Sequence, residues 1–225
     1  VVIHSFPPKT ENELLERAWA IAGLTFAEIA QMLNVMVPDN LKRHKGWVGN
    51  LIEQALGATA GSKAERDFQA LGIELKTLPI DRNGKVLETT FVSLAPLTQT
   101  TGIIWETSHV RYKLSKVLWI PIEGERDIPL AMRRVGAPIL WKPTLQQELL
   151  LKRDWEELMD YIILGRVQEI NATLGEVLQL RPKAANSRAL TTGINIQGEL
   201  IQTLPLGFYL RKQFTQEILQ NYLQN

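Results

Sequence analysis

Asp67, Glu74 and Lys76 are the residues in this chain best suited to chemistry, arranged as one acid, six intervening residues and then Glu-x-Lys. Hydrolysis of a phosphodiester needs cations that stabilise the attacking and leaving oxygens, and hard ions such as Mg²⁺ take oxygen ligands, carboxylates above all. If residues 74–76 are extended, Glu74 and Lys76 share one face and Leu75 turns to the other. One side chain can then bind metal while its neighbour orients or activates a water. Asp67 lies upstream of a Gly-containing turn, at a spacing that lets the preceding segment fold back beside Glu74. Glu53 is available as a further acid.

A Glu-x-Lys triplet alone carries little weight, because any surface strand alternates such charges as a cross-strand pair. Here it is the one Asp/Glu-x-Lys triplet in the chain, and it sits in an apolar strand with an acid upstream. The bland reading is weakened accordingly.

Composition narrows the alternatives. The 225 residues are 45% hydrophobic and contain no cysteine, so one sizeable core is expected and disulfides, thiolate zinc sites and cysteine nucleophiles are excluded. The three histidines, His4, His44 and His109, are scattered, and no Gly-x-x-x-x-Gly-Lys-Ser/Thr string occurs. A histidine-based hydrolase and an ATPase are disfavoured. No apolar run approaches the roughly 20 residues that span a bilayer, and Val1 to Thr10 lacks the pattern of a signal peptide. A soluble, cytoplasmic protein with no membrane partner is expected. Net charge is only +1, so bulk charge cannot hold nucleic acid. Basic residues nevertheless cluster at Lys42, Arg43 and Lys45, at Arg111, Lys113 and Lys116, at Arg181, Lys183 and Arg188, and at Arg211 and Lys212, while acids gather at Asp154, Glu156, Glu157 and Asp160. Each cluster is either an ordinary solvated face or part of a basic groove with an acidic back.

The elements that must position these residues follow from periodicity. Thr10 with Glu13, and Thr25 with Glu28, are spaced as capping boxes and predict two short helices. Apolar spacing from Trp47 predicts a third helix ending at Gly57 and carrying Glu53. A small, flexible stretch is expected from Gly57 to Ser62, a helix over 63–70, and a hairpin of strands 72–80 and 86–94 around an Asp81 to Gly84 turn. Further on, a short basic helix after Thr107, strands at 117–122 and 139–141, and a long helix from Thr144 to Leu164 are predicted. Another helix near 167–178, loops with a hairpin at Gln197-Gly198 over 179–205, a strand at 208–210 and a helix at 215–223 complete the reading. No internal repeat and no linker divides the chain.

Longer strings carry a specific resemblance. Asp67, six residues and Glu74-Leu75-Lys76 match the restriction-endonuclease-like nucleases, with Arg66 where many members have proline. Lys45-Gly46-Trp47-Val48-Gly49, residues 56–65, Glu74-Leu75-Lys76-Thr77-Leu78-Pro79-Ile80, residues 88–97, Asp154-Trp155-Glu156-Glu157-Leu158-Met159-Asp160, Leu180-Arg181-Pro182-Lys183, residues 185–190 and residues 203–212 resemble the MutH family of mismatch-repair endonucleases. The likeness covers nearly the whole chain. It implies an α/β fold with a restriction-endonuclease-like mixed sheet flanked by helices, as a single domain over 1–225 whose two lobes divide near residue 105 around a DNA-binding cleft.

The resemblance also implies an activity: nicking of the unmethylated strand, 5′ to the G, at hemimethylated GATC sites. On matching motif positions Asp67 and Glu74 become metal-binding carboxylates, joined by the Leu75 backbone carbonyl. Lys76 becomes the lysine beside the attacking water, with Glu53 a further active-site acid and Lys113 an active-site lysine. The implied cofactor is Mg²⁺, two ions, with Mn²⁺ or Ca²⁺ substituting in binding. Arg181, Pro182 and Lys183 match the main base-reading loop, Lys45 and Gly46 a second loop on the minor-groove side, and Tyr209 the position that contacts the adenine edge where a methyl group would project. The implied partners are double-stranded DNA with hemimethylated or unmethylated GATC, MutL as activator and MutS indirectly, with the protein a monomer. Two rivals remain at this point. One is a DNA-binding module without catalysis, against which Asp67, Glu74 and Lys76 speak. The other is a related restriction nuclease that cuts both strands at GATC; such enzymes carry a second copy of the domain or dimerise, and this sequence shows no repeat.

Overall fold

The computed structural model describes residues 6–61 and 63–223, so His4 and Ser62 lie outside the described residues. Along the chain run α1 (Glu11–Ile21), α2 (Phe26–Leu33), α3 (Trp47–Leu56), β1 (Glu74–Ile80), β2 (Thr90–Leu94), α4 (His109–Leu114), β3 (Val117–Glu123) and β4 (Ile139–Trp141). They are followed by α5 (Leu145–Ile163), β5 (Leu178–Pro182), β6 (Thr191–Ile194), β7 (Leu200–Thr203), β8 (Leu206–Leu210) and α6 (Lys212–Leu223). Two compact units form. The first holds Val1–Glu88, Ser115–Lys142 and Ile218–Asn225, and the second holds Thr89–Leu114 and Pro143–Glu217.

In the first unit β3 is the central strand, parallel to β1 and antiparallel to β4. Six of its seven residues are buried, as expected for an apolar run covered on both faces. The helices meet it through Leu14, Ile21, Phe26, Ile29, Leu51, Ile52 and Leu56, which pack with Leu75, Leu118 and Ile120 in one cluster. Thr10 and Thr25 cap α1 and α2 by accepting from the amides of Glu13 and Glu28. Arg17, 5% exposed, ties these elements together: it donates to the carbonyls of Phe6 and Leu56 and pairs with Glu13.

In the second unit β2, β8 and β5 form an antiparallel sheet, and β6 and β7 form a hairpin turning at 195–198. The long helix α5 starts from a full capping box at Thr144 and Gln147. Among the described residues no helix is long and apolar enough to cross a membrane.

Four sequence expectations are corrected. Residues 63–70 form bends ending in a single 3-10 turn at Gln69–Leu71, and the helix expected near 167–178 is only the turn Val167–Glu169 followed by loop. The hairpin partner of β1 is also wrong. Only the Ile80 to Val86 bridge forms there, β1 pairs with β3, and β2 pairs with β8. Part of the region read as loops, 179–205, is strand: β5, β6 and β7, the last two making the hairpin expected there.

Candidate active site and nucleic-acid interface

The acid pair is built by a short chain reversal in the first unit. Phe68 and Ile73 form an antiparallel bridge with reciprocal backbone bonds of 2.9 and 3.2 Å, around a 3-10 turn that ends at Gly72 with φ 69°. Gly72 adopts that left-handed conformation without the steric cost of a side chain. Continuing the register outward by one residue places Asp67 opposite Glu74. Paired positions share a face with Cβ atoms about 4.5–5.5 Å apart. The six-residue interval of the motif is therefore the length of this reversal.

Backbone polarity then fixes the carboxylate. The Glu74 amide donates to the Lys116 carbonyl at 3.0 Å, toward β3. Successive amides of an extended strand alternate sides, so the Leu75 amide faces the opposite edge, where it donates to Asp67 Oδ2 at 2.8 Å. The Leu75 carbonyl lies on the same edge as its own amide. Asp67 is 6% exposed and Glu74 3% exposed, so both acids are withdrawn from bulk water. Leu75 packs into the core with the helices, while Lys76 follows Glu74 on its face and is half-buried.

The surroundings hold this arrangement. Glu53 is half-buried on α3, whose core face carries Leu51, Ile52, Ala55 and Leu56. Beyond the Gly57 cap the Thr59 amide donates to the Asp67 carbonyl at 2.9 Å, linking the end of α3 to the acid. Arg66 donates to the Ser115 hydroxyl at 3.1 Å and covers Gly72. The residue that replaces proline thus braces the reversal. Among the described residues no group of three or more His, Cys, Asp or Glu side chains forms a metal site. Two buried carboxylates, with the Leu75 main-chain carbonyl on the same strand edge as the amide that binds Asp67, are the oxygen donors available here. That set fits Mg²⁺, which keeps several waters and uses one or two carboxylates together with substrate phosphate oxygens.

Lys45 lies in an exposed turn, and Gly46 is the N-cap of α3 with φ 82°. Lys113 belongs to α4 in the second unit, where burial and then the Lys113 charge hold His109 below the ordinary imidazole range. Of the remaining predicted residues, Arg181, Lys183 and Tyr209 share one face of the β2-β8-β5 sheet, and Pro182, paired with Leu206, falls on the other. Tyr209 is paired with Phe91 and with Gln179, and Arg181 with Gly207. The Arg181 guanidinium lies 5.1 Å from the Tyr209 ring centre and donates to Thr89 Oγ1 at 2.9 Å, while Lys183 Nζ lies 4.6 Å from the Phe91 ring centre. Phe91 meets Tyr209 edge to face at 5.4 Å. Gly207 makes room for this cluster, since a Cβ there would stand 2.8 Å from the Phe91 ring. Burial pushes the Tyr209 hydroxyl above the usual phenol range, against the opposing pull of Arg181. Phe91, Thr89 and Gly207 were not singled out from sequence, because β2 had been assigned to the wrong partner.

The charge clusters divide. Arg111 pairs with Glu148 at 2.7 Å, Lys116 with Glu11, and Arg211 is committed to backbone carbonyls. Asp154, read as part of an acidic face, is 1% exposed.

A mixed α/β fold with two buried acids at opposite positions of a chain reversal, at the head of a strand that carries Glu-x-Lys, defines the chain as restriction-endonuclease-like. The sequence profile described as DNA mismatch repair enzyme MutH matches residues 56–154. The chain is 74% identical over 216 residues to the DNA mismatch repair protein MutH of Pasteurella multocida, covering 96% of this chain and 97% of that protein. It is 70% identical to the MutH protein of Histophilus somni strain 2336 (97% and 98% covered) and 65% identical to that of Haemophilus influenzae strain Rd (96% and 97% covered). The chain belongs to the MutH family.

Proposed function

We propose that this protein is a Mg²⁺-dependent, cytoplasmic mismatch-repair endonuclease that nicks the unmethylated strand 5′ to the G of hemimethylated GATC, acting as a monomer activated by MutL, downstream of MutS. The observation that carries the reading is the Asp67 carboxylate, anchored on the Leu75 amide opposite Glu74.

In this reading Asp67, Glu74 and the Leu75 carbonyl hold the divalent cation, two ions in the full complex. When bound, the cation stabilises negative charge on the phosphodiester and favours ionisation of the attacking water. Both acids are withdrawn from bulk water, so a cation bound there would compensate charge that solvent does not reach. Lys76, on the same strand face as Glu74, orients the nucleophile and neutralises charge that develops on the phosphate oxygens. Glu53 adds a further acid from α3. Lys113 is assigned as a second charge-neutralising lysine on its family motif. Lys45 and Gly46 contact DNA from an exposed turn, where a glycine lets the backbone approach closely.

Base reading falls to Arg181, Pro182, Lys183 and Tyr209. The ring of Tyr209 and the hydroxyl of Thr89 hold Arg181 before DNA arrives, which lowers the ordering cost of a bidentate base contact. Arg181→Ala is expected to lower discrimination between GATC and sites with one base changed by about 5- to 150-fold; an unchanged preference would place Arg181 among phosphate contacts. Tyr209→Ser should narrow the difference in cutting between methylated and unmethylated strands more than it lowers the melting temperature. Equal loss on both substrates would refute that role. Because burial raises the phenol's pKa above its usual value of about 10, the hydroxyl is protonated across the neutral range, and the methylation preference should stay flat from neutral pH to about 9.

The reading is tested by incubating the protein with a GATC-containing plasmid in Mg²⁺. Relaxation of supercoiled plasmid that disappears with EDTA is expected, and binding without nicking would indicate a recognition module instead.

A further inference from the structure

One buried and one half-buried charge of the second unit take no part in the chemistry above, and both act on the backbone of a single loop. Asp154 on α5 accepts from the amides of Val177 at 2.7 Å and Leu178 at 3.0 Å through Oδ2. Arg211, directly after β8, donates Nε to the Gly175 carbonyl at 2.9 Å and Nη2 to the carbonyls of Ala172 at 2.6 Å and Leu174 at 3.0 Å. Its own amide donates to the Val177 carbonyl at 2.8 Å. The carboxylate collects amides and the guanidinium collects carbonyls, so each charge meets the complementary end of the peptide dipoles in charge-assisted bonds. Gly175 completes the fit, with φ +84° and no space for a side chain: a Cβ there would stand 1.8 Å from the Leu178 carbonyl oxygen.

The loop leads into β5, whose first residue Leu178 pairs with Leu210, the last residue of β8. Arg181 lies three positions further on, and Tyr209 is next to Leu210. Side chains alternate along a strand, so a slip of one residue in β5 would send Arg181 and Lys183 to the opposite face. The other ladder of β8 offers less constraint, because its pairing with β2 is shifted between Phe91 and Ser93. The register of β5 is held from its start.

We propose that Asp154 and Arg211 are positioning residues for base reading: together they clamp loop 172–177 and lock β5 in the register that holds Arg181 over Tyr209 and Lys183 over Phe91. The proposal rests on the assignment of Arg181 to base reading. It is tested with the full chain by the ratio of kcat/KM for nicking at GATC to that at sites with one base changed. That ratio does not depend on the fraction of molecules folded, so simple destabilisation leaves it unmoved. Arg211→Ala is expected to lower it roughly 10- to 100-fold, Arg211→Lys by less, since one ammonium cannot reproduce the planar fork. Asp154→Asn, which keeps an acceptor and loses the charge, should also lower it. The Arg181→Ala/Arg211→Ala double variant should fall by less than the product of the two single losses, because Arg211 acts in part through Arg181. If Arg211→Ala does not fold, Arg211→Lys and Asp154→Asn carry the same test. A ratio lowered by Arg181→Ala but unmoved by the Arg211 and Asp154 variants overturns the clamp. Additive losses in the double variant overturn its action through Arg181. A ratio unmoved by Arg181→Ala overturns the base-reading assignment, and this proposal with it.

Discussion

Glu74→Ala lowers nicking by about 10³-fold or more with the fold intact, on the expectation that each first ligand supplies several kcal/mol of transition-state stabilisation. Glu74 sits at the head of β1 and is 3% exposed, opposite a second buried acid. Two carboxylates so placed repel each other when no cation lies between them. The variant should still unfold cooperatively even as activity is lost. Single-turnover nicking and thermal unfolding of the same preparation check both halves. Robust nicking by this variant would contradict the metal role.

Asp67 separates the chemical from the structural contribution of one side chain. Asp67→Asn keeps an oxygen for the Leu75 amide and loses the charge, so activity should fall by a similar factor of about 10³ while stability is retained. Asp67→Ala removes the acceptor as well and leaves a main-chain amide unsatisfied in a buried position. That costs about 1–3 kcal/mol, so Asp67→Ala should unfold at lower urea concentration than Asp67→Asn although both are inactive. Equal stability of the two variants would mean that the hydrogen bond at 2.8 Å contributes nothing to the fold.

How much of this was legible in the sequence depended on range. Thr10, Thr25 and Thr144 announce their helices because a cap acts within three residues, and Gly57 ends α3 through its own backbone conformation. The run at β3 identifies itself by being apolar on both faces. Residues 167–178 look helical by local apolar spacing, but Asp154 and Arg211, brought in from other elements, hold their backbone groups in a non-helical arrangement. β2 was misassigned for a related reason: nothing near Phe91 indicates that its partner is Tyr209, far along the chain. The acid pair was accessible from spacing alone, since the interval between Asp67 and Glu74 suits a reversal, yet the Leu75 amide that fixes Asp67 is visible only in three dimensions. Roles for Lys45, Lys113, Arg181 and Tyr209 came from the family strings, not from any local property of those residues.

In the proposed reading Asp67 facing Glu74 accounts for cutting, and the Arg181 and Tyr209 face accounts for where. Both are tested together by incubating the protein and Mg²⁺ with three otherwise identical GATC duplexes, unmethylated, hemimethylated and fully methylated, with each strand labelled separately. The expected result is a single nick 5′ to the G, confined to the unmethylated strand of the hemimethylated duplex, open to either strand of the unmethylated one and absent from the fully methylated one. Equal cutting of both strands of the hemimethylated duplex, or nicking that persists in EDTA, would contradict this account.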